Sequence, residues 1–179
     1  MNYELFDRLE KSSAHTQNRS DNASYILKNI NLLDELISFS FATENKLHIR
    51  ACCILEKVFE MQFDLAIPYL DIICKNLGNL NNDSAIRSIS RFIHFMSRDI
   101  TKKKYLSENN LEKITTVCFD WLISDIRVAP KAHAIYTLFE LGKNQNWIYP
   151  ELKQILEHYT GSESAGYKSV ARKILKKLN

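Results

Sequence analysis

Two independent sets of positions in this chain recur at a spacing near 40 residues, which constrains the fold more than any other feature. One set reads apolar then basic: Ile49-Arg50, Ile86-Arg87, Pro130-Lys131 and Tyr167-Lys168, with the basic residues 37, 44 and 37 positions apart. Two residues after each basic position come Cys52, Ile89, His133 and Val170. One further come Cys53, Ser90, Ala134 and Ala171, mostly small, as expected where helices approach closely. The second set is Leu33, Leu70, Leu111 and Leu152, at intervals of 37, 41 and 41. Pro68-Tyr69-Leu70 is echoed by Pro150-Glu151-Leu152, and the long interval of 44 contains the Lys102-Lys103-Lys104 stretch. Each unit carries two amphipathic segments, and neither can bury its apolar stripe without a neighbour on both sides. A stack of helix pairs satisfies that requirement.

The stretch 47–77 states the plan most clearly. Ala51, Leu55 and Val58, widened by Cys52 and Phe59, line one helix, and Phe63, Ile67, Leu70, Cys74 and Leu77 predict a second. Four Gly and three Pro leave little material for the tight turns of an all-β fold. The expectation is an all-α chain, a right-handed α-α superhelix of about four to five helix pairs in a single domain over 1–179. Residues 1–21 read as an N-terminal helix and a polar linker or the polar start of the next helix, and 22–179 as repeats. Two helices are predicted to meet near Asn29–Asn31. Gly78 is placed as a left-handed helix C-cap, Asn81 to Ser84 offer N-caps, and Ser107 caps the helix carrying Leu111, Ile114, Cys118 and Trp121. Arg98 to Tyr105 reads as a basic polar loop, and Pro130 falls in a first helical turn. Gly142 and Gly161 close the helices before them.

This pattern resembles the HEAT-like and armadillo-type repeat family over about residues 14–179. His48-Ile49-Arg50-Ala51-Cys52, Cys118-Phe119-Asp120-Trp121 and Ser164-Ala165-Gly166-Tyr167-Lys168 look like a group of small bacterial HEAT-like proteins. The resemblance implies a solenoid whose inner helices present a concave groove to a partner. Some members of that group carry the label adenylosuccinate lyase. Such lyases use a mobile loop with a Ser-Ser-x-Met-Pro-type signature, whereas Ser12-Ser13 here is followed by Ala14-His15.

The residues facing such a groove are expected to be Tyr69, Asp71, Lys75, Lys113, Lys153 and Glu157, with Trp121 and Trp147 as anchors. A protein partner is the first expectation, and a nucleic-acid-binding or DNA-repair solenoid the second. The second rests on Trp121 and Asp125, spaced as in the W-D-x-x-D arrangement of DNA-alkylation-repeat glycosylases. Leu122, however, stands where that motif has its first Asp. It also rests on two basic patches, Lys102, Lys103 and Lys104, and then Lys168, Arg172, Lys173, Lys176 and Lys177. A net charge of +3 and a pI near 8.6 permit an anionic partner without requiring one. The aligned basic positions Arg50, Arg87, Lys131 and Lys168 read first as structural, bonding to carbonyls or acids of the neighbouring repeat.

No catalytic set, cofactor motif or small-molecule site emerges. The five His show no metal spacing, there is no Gly-rich phosphate loop, and Asp34-Glu35 point to different helix faces. Cys52, Cys53, Cys74 and Cys118 form no C-x-x-C pair and read as reduced, core-filling thiols rather than a zinc site. Unpaired thiols, an acidic N-terminus without an apolar run and no stretch near 18 apolar residues point to a cytoplasmic protein with no membrane partner.

Overall fold

The computed structural model describes residues 2–13, 15–159 and 163–178, apart from the side chains of Ile100 and Tyr159. All described regular structure is helical, so the all-α expectation holds. No helix among these residues is long and apolar enough to cross a membrane. The chain divides into two compact units, Met1–Phe92 and Ile93–Asn179.

The first unit contains α1 (Tyr3–Lys11), α2 (Thr16–Lys28), α3 (Leu33–Phe41), α4 (His48–Met61), α5 (Leu70–Asn76) and residues 83–92 of α6 (Asp83–Ser97). Helix α4 is its centre. Ala51, Cys52, Ile54, Leu55, Val58 and Phe59 are all buried and, at 3.6 residues per turn, share one arc of about 160°, a broad form of the expected stripe. It packs against both α2 and α3, and the Phe59 ring lies 5.1 Å from that of Phe92 on α6. A helix apolar over so wide an arc is stable only when neighbours cover it.

Charged groups reinforce the same packing. Glu56 on α4 is buried with Arg19 of α2 2.7 Å from Oε2 and Arg91 of α6 2.8 Å from Oε1. The Arg19 contact is a hydrogen bond, whereas Arg91 meets Oε1 as an ion pair outside hydrogen-bond geometry. Burial holds the Glu56 carboxyl above the usual range, with Arg19 and Arg91 pulling it back. Arg50 donates to the carbonyls of Leu9 (3.2 Å) and Glu10 (2.6 Å), and so satisfies the last turn of α1.

The structure corrects three local expectations. Phe63 to Leu77 is not one helix: Phe63–Tyr69 is a 3-10 segment and only Leu70–Asn76 is α-helical. Pro68 has no N–H for an i→i−4 bond, and the tighter coil accommodates it. Leu70, Cys74 and Leu77 are buried, while Phe63 and Ile67 are half-buried. Gly78 lies in the short 3-10 turn Leu77–Asn79, and no described glycine has positive φ, so it is not a left-handed cap. The stretch after Arg98 is not all loop: Asp99 caps a short helix, α7 (Ile100–Lys103), through the Thr101 amide.

The second unit contains residues 93–97 of α6, then α7, α8 (Glu108–Ile123), α9 (Val128–Gly142), α10 (Ile148–Tyr159) and α11 (Ala165–Leu178). Ser107 accepts a bond from the Asn110 amide and so caps α8, and Pro130 sits buried in the first turn of α9, both as expected. Helix α9 packs against α8, α10 and α11. Ala134, Ile135, Leu138 and Leu141 of α9 are buried, as are Ile114 and Cys118 of α8, Ile148 and Leu152 of α10, and Ala171 and Ile174 of α11. Lys131 is buried and pairs with Glu163, and its ammonium lies 5.9 Å from the Tyr167 ring centroid. Gly142 ends α9 not as a left-handed cap but as a space: a Cβ there would fall 2.1 Å from Tyr149 Cε1. The expected closure at Gly161 lies outside the described residues.

Candidate functional site

Local geometry places the expected site residues in unlike surroundings. Trp121 belongs to the core. It lies on the α8 face that carries Ile114, Cys118 and Leu122, and only 5% of its surface is exposed. Asp125 follows α8 in an exposed turn. An indole held in the core presents no open face to a flipped base. Tyr69 is also committed locally: its hydroxyl donates to Asp34 Oδ1 at 2.5 Å, joining the 3-10 segment to α3. That bond to a carboxylate raises the Tyr69 pKa. Asp71 and Lys75 are exposed one turn apart on α5. In the second unit Lys113 and Lys153 are half-buried and Glu157 is exposed.

Trp147 differs from all of these. It precedes α10 and is 56% exposed, with its ring 6.1 Å from that of Phe119 on α8. Ile123, four residues beyond Phe119 and therefore on the same face of α8, is 55% exposed. A large ring left this open costs hydration free energy unless something covers it, and clustered apolar exposure marks contact surfaces more often than isolated residues do. Neither Phe119 nor Ile123 is among the expected site residues, although both are apolar residues of α8 outside the Ile114–Cys118–Trp121 stripe.

The basic patches resolve unequally. Lys102 pairs with the Asp99 that caps α7, and Lys103 donates to Asn144 Oδ1 at 3.2 Å. Lys104 is exposed, 5.1 Å from the Tyr105 ring centroid. The triple lysine is therefore mostly structural. On α11, Arg172, Lys173, Lys176 and Lys177 are exposed and Lys168 is half-buried. Lys173 lies 5.6 Å from the Tyr136 ring centroid, and Lys177 lies 5.1 Å from that of Phe139. Next to them His94 stacks on Tyr136 (5.2 Å) and on His133 (5.9 Å), and Phe139 stacks on Tyr149 (5.8 Å). Burial, aided by nearby Arg98, lowers the His94 pKa. This row of rings and ammonium groups was not foreseen, because it needs α6, α9 and α11 side by side.

A cleft of about 850 Å³ in the first unit is lined by Phe6, Phe41 and Leu47 together with Glu10, Glu44 and Lys46, a lining of mixed charge. Among the described residues, no group of three or more His, Cys, Asp or Glu is placed to hold a metal ion. In comparisons with known proteins, the chain matches no family model, no curated protein and no solved structure.

Proposed function

We propose that the chain is a HEAT-like helical-repeat scaffold, a non-enzymatic module that binds a protein partner, with Trp147 as the principal anchor. The neighbour pattern supports the repeat reading. First helices of successive pairs pack together, α2 with α4 and α9 with α11, as do the second helices α8 and α10, and α4 touches α6 through Phe59 with Phe92 and Glu56 with Arg91. Stacks of this kind use side chains on one row of helices to grip an extended partner. A cytoplasmic location fits four free thiols, three of them buried.

One observation carries the binding reading: the open indole of Trp147 beside Phe119, with Ile123 exposed one turn further along α8. Trp is enriched among hot-spot residues, where one large ring displaces much water at little entropic cost. The lyase and glycosylase readings have no comparable support, since neither the serine-loop signature nor an accessible Trp121 is present.

The test replaces Trp147 with a photo-crosslinking phenylalanine analogue and irradiates the protein in extract of its source cells. A discrete, protease-sensitive adduct that disappears with Ile123→Ser is expected. A labelling pattern no different from that of an analogue placed at exposed Asp21 on α2 would refute the anchor.

A further inference from the structure

We propose that the α9–α11 face of the second unit binds single-stranded nucleic acid, with aromatic rings stacking bases and lysines neutralising phosphates. The charge distribution first singles out this unit. It holds 14 Lys and Arg against 9 Asp and Glu, whereas the first unit holds 10 against 12. Such asymmetry between halves is a mark of a polyanionic ligand. A modest net charge for the whole chain conceals a basic half.

Within that half, cations and rings interleave. His133, Tyr136, Phe139 and Lys143 recur at three- and four-residue intervals, so they form one strip along α9. At a rise of 1.5 Å per residue the strip is about 15 Å long, the length of roughly four stacked nucleotides at 3.4 Å each. Its three rings are half-buried, which fixes their orientation while leaving area to cover. Lys173 and Lys177, one turn apart on α11, reach over Tyr136 and Phe139, and Lys143 lies 5.6 Å from the Phe139 ring centroid. Arg98 on the α6 side approaches the Phe95 ring at 5.7 Å.

A lysine ammonium over a ring face occupies the position a stacked base would take. Strand entry would move the ammonium from ring to phosphate and place a base on the ring, retaining both attractions. Sequence-tolerant single-strand binders combine these same parts, a basic track and stacking platforms. A duplex keeps its bases stacked on one another and engages only the lysines. Glu140 opposes the ligand: it pairs with Lys143 and sits near His94 and Tyr149. Its neutralisation is therefore expected to tighten binding.

The test is fluorescence anisotropy of the full chain with a labelled 15-mer of oligothymidylate, from 50 to 300 mM salt. The matched duplex and polyglutamate serve as competitors. With Lys143, Lys173 and Lys177 engaged, log affinity should fall against log salt with a slope of about −2, from about −0.7 per phosphate. Lys173→Glu with Lys177→Glu should flatten the slope to about −0.7, and Glu140→Gln should raise affinity. Tyr136→Leu or Phe139→Leu should each weaken binding about tenfold, a value within the range for one stacked base. Two ring variants guard against one failing to fold, which circular dichroism detects. Trp147→Ala should bind oligonucleotide like the parent, so this inference and the protein-partner reading fail separately. No binding at 50 mM salt would overturn it. So would equal affinity for duplex or polyglutamate, or unchanged affinity in both folded ring variants, and either of these last results would make the face a general anion or acidic-polypeptide surface.

Discussion

Replacing Gly142 with alanine should destabilise the protein, although alanine favours helix over glycine by about 0.5–1 kcal/mol. The new Cβ would lie 2.1 Å from Cε1, 2.4 Å from Cδ1 and 3.0 Å from Cζ of Tyr149. That ring cannot step aside freely, because it stacks on Phe139 and its hydroxyl donates to the Phe139 carbonyl at 3.3 Å. Displacing it forfeits a stacking contact and a hydrogen bond of about 1 kcal/mol each, or imposes overpacking of about 1–3 kcal/mol. After the helix-propensity gain, a net loss of about 1–1.5 kcal/mol remains. For a chain of this length that lowers Tm by about 2–6 °C. Thermal denaturation followed by circular dichroism measures the shift. The double variant Gly142→Ala/Tyr149→Ala should be less destabilised than the sum of the singles, since the second change removes the clashing ring. A Gly142→Ala protein as stable as the parent, or strictly additive singles, would refute the steric reading of this glycine.

The remaining predictions concern the first unit and the thiols. Leu70→Ala should cost about 2–5 kcal/mol, because Leu70 is buried at the junction of the 3-10 segment and α5; an unchanged Tm would contradict this. Cys52 and Cys118, whose thiol pKa values are raised by burial, and buried Cys74 should react slowly with a thiol reagent until unfolding, while half-buried Cys53 reacts first. Rapid labelling of Cys118 in native protein would be inconsistent with its packing. Glu56→Ala should cost about 3–5 kcal/mol, because it leaves Arg19 without its carboxylate partner in a largely buried site. Because the Glu56 pKa is raised by folding, its contribution to stability is fully present below the unfolded value of about 4.3 and declines as pH rises through the folded value. The Tm of the parent minus that of Glu56→Gln should therefore shrink from pH 4 toward neutrality, and a widening difference would reverse the assignment.

Helices and their buried faces were legible because periodicity encodes them directly. Ile86, Ile89, Ile93 and Met96 are buried on α6, and Ile114, Cys118 and Trp121 on α8, as the stripes require. Leu33, Leu70 and Leu152 are buried at the aligned second-helix position, and Leu111 is half-buried. The break at Pro68 was harder to see, since a 3-10 segment followed by a short helix carries nearly the same apolar spacing as one long helix. Gly78 and Gly142 were assigned from the habit of glycine at helix ends. The structure instead uses Gly142 for a neighbouring ring, a contact between α9 and α10 that local sequence does not contain. The candidate site was the least legible part. Trp121 and Trp147 look alike in sequence, and only the packing of α8 distinguishes the buried one from the exposed one. The ring-and-lysine row likewise depends on which helices lie side by side.

The most direct test of the docking claim is iodide quenching of tryptophan emission, free and with the captured partner bound. Only two tryptophans contribute, one 5% and the other 56% exposed, so the quenchable emission of the free protein should vanish in Trp147→Phe. Saturation with the partner should abolish that same component and shift the emission to the blue, because Trp147 leaves water. Saturated complex whose emission remains fully quenchable by iodide would contradict the claim that Trp147 anchors the partner.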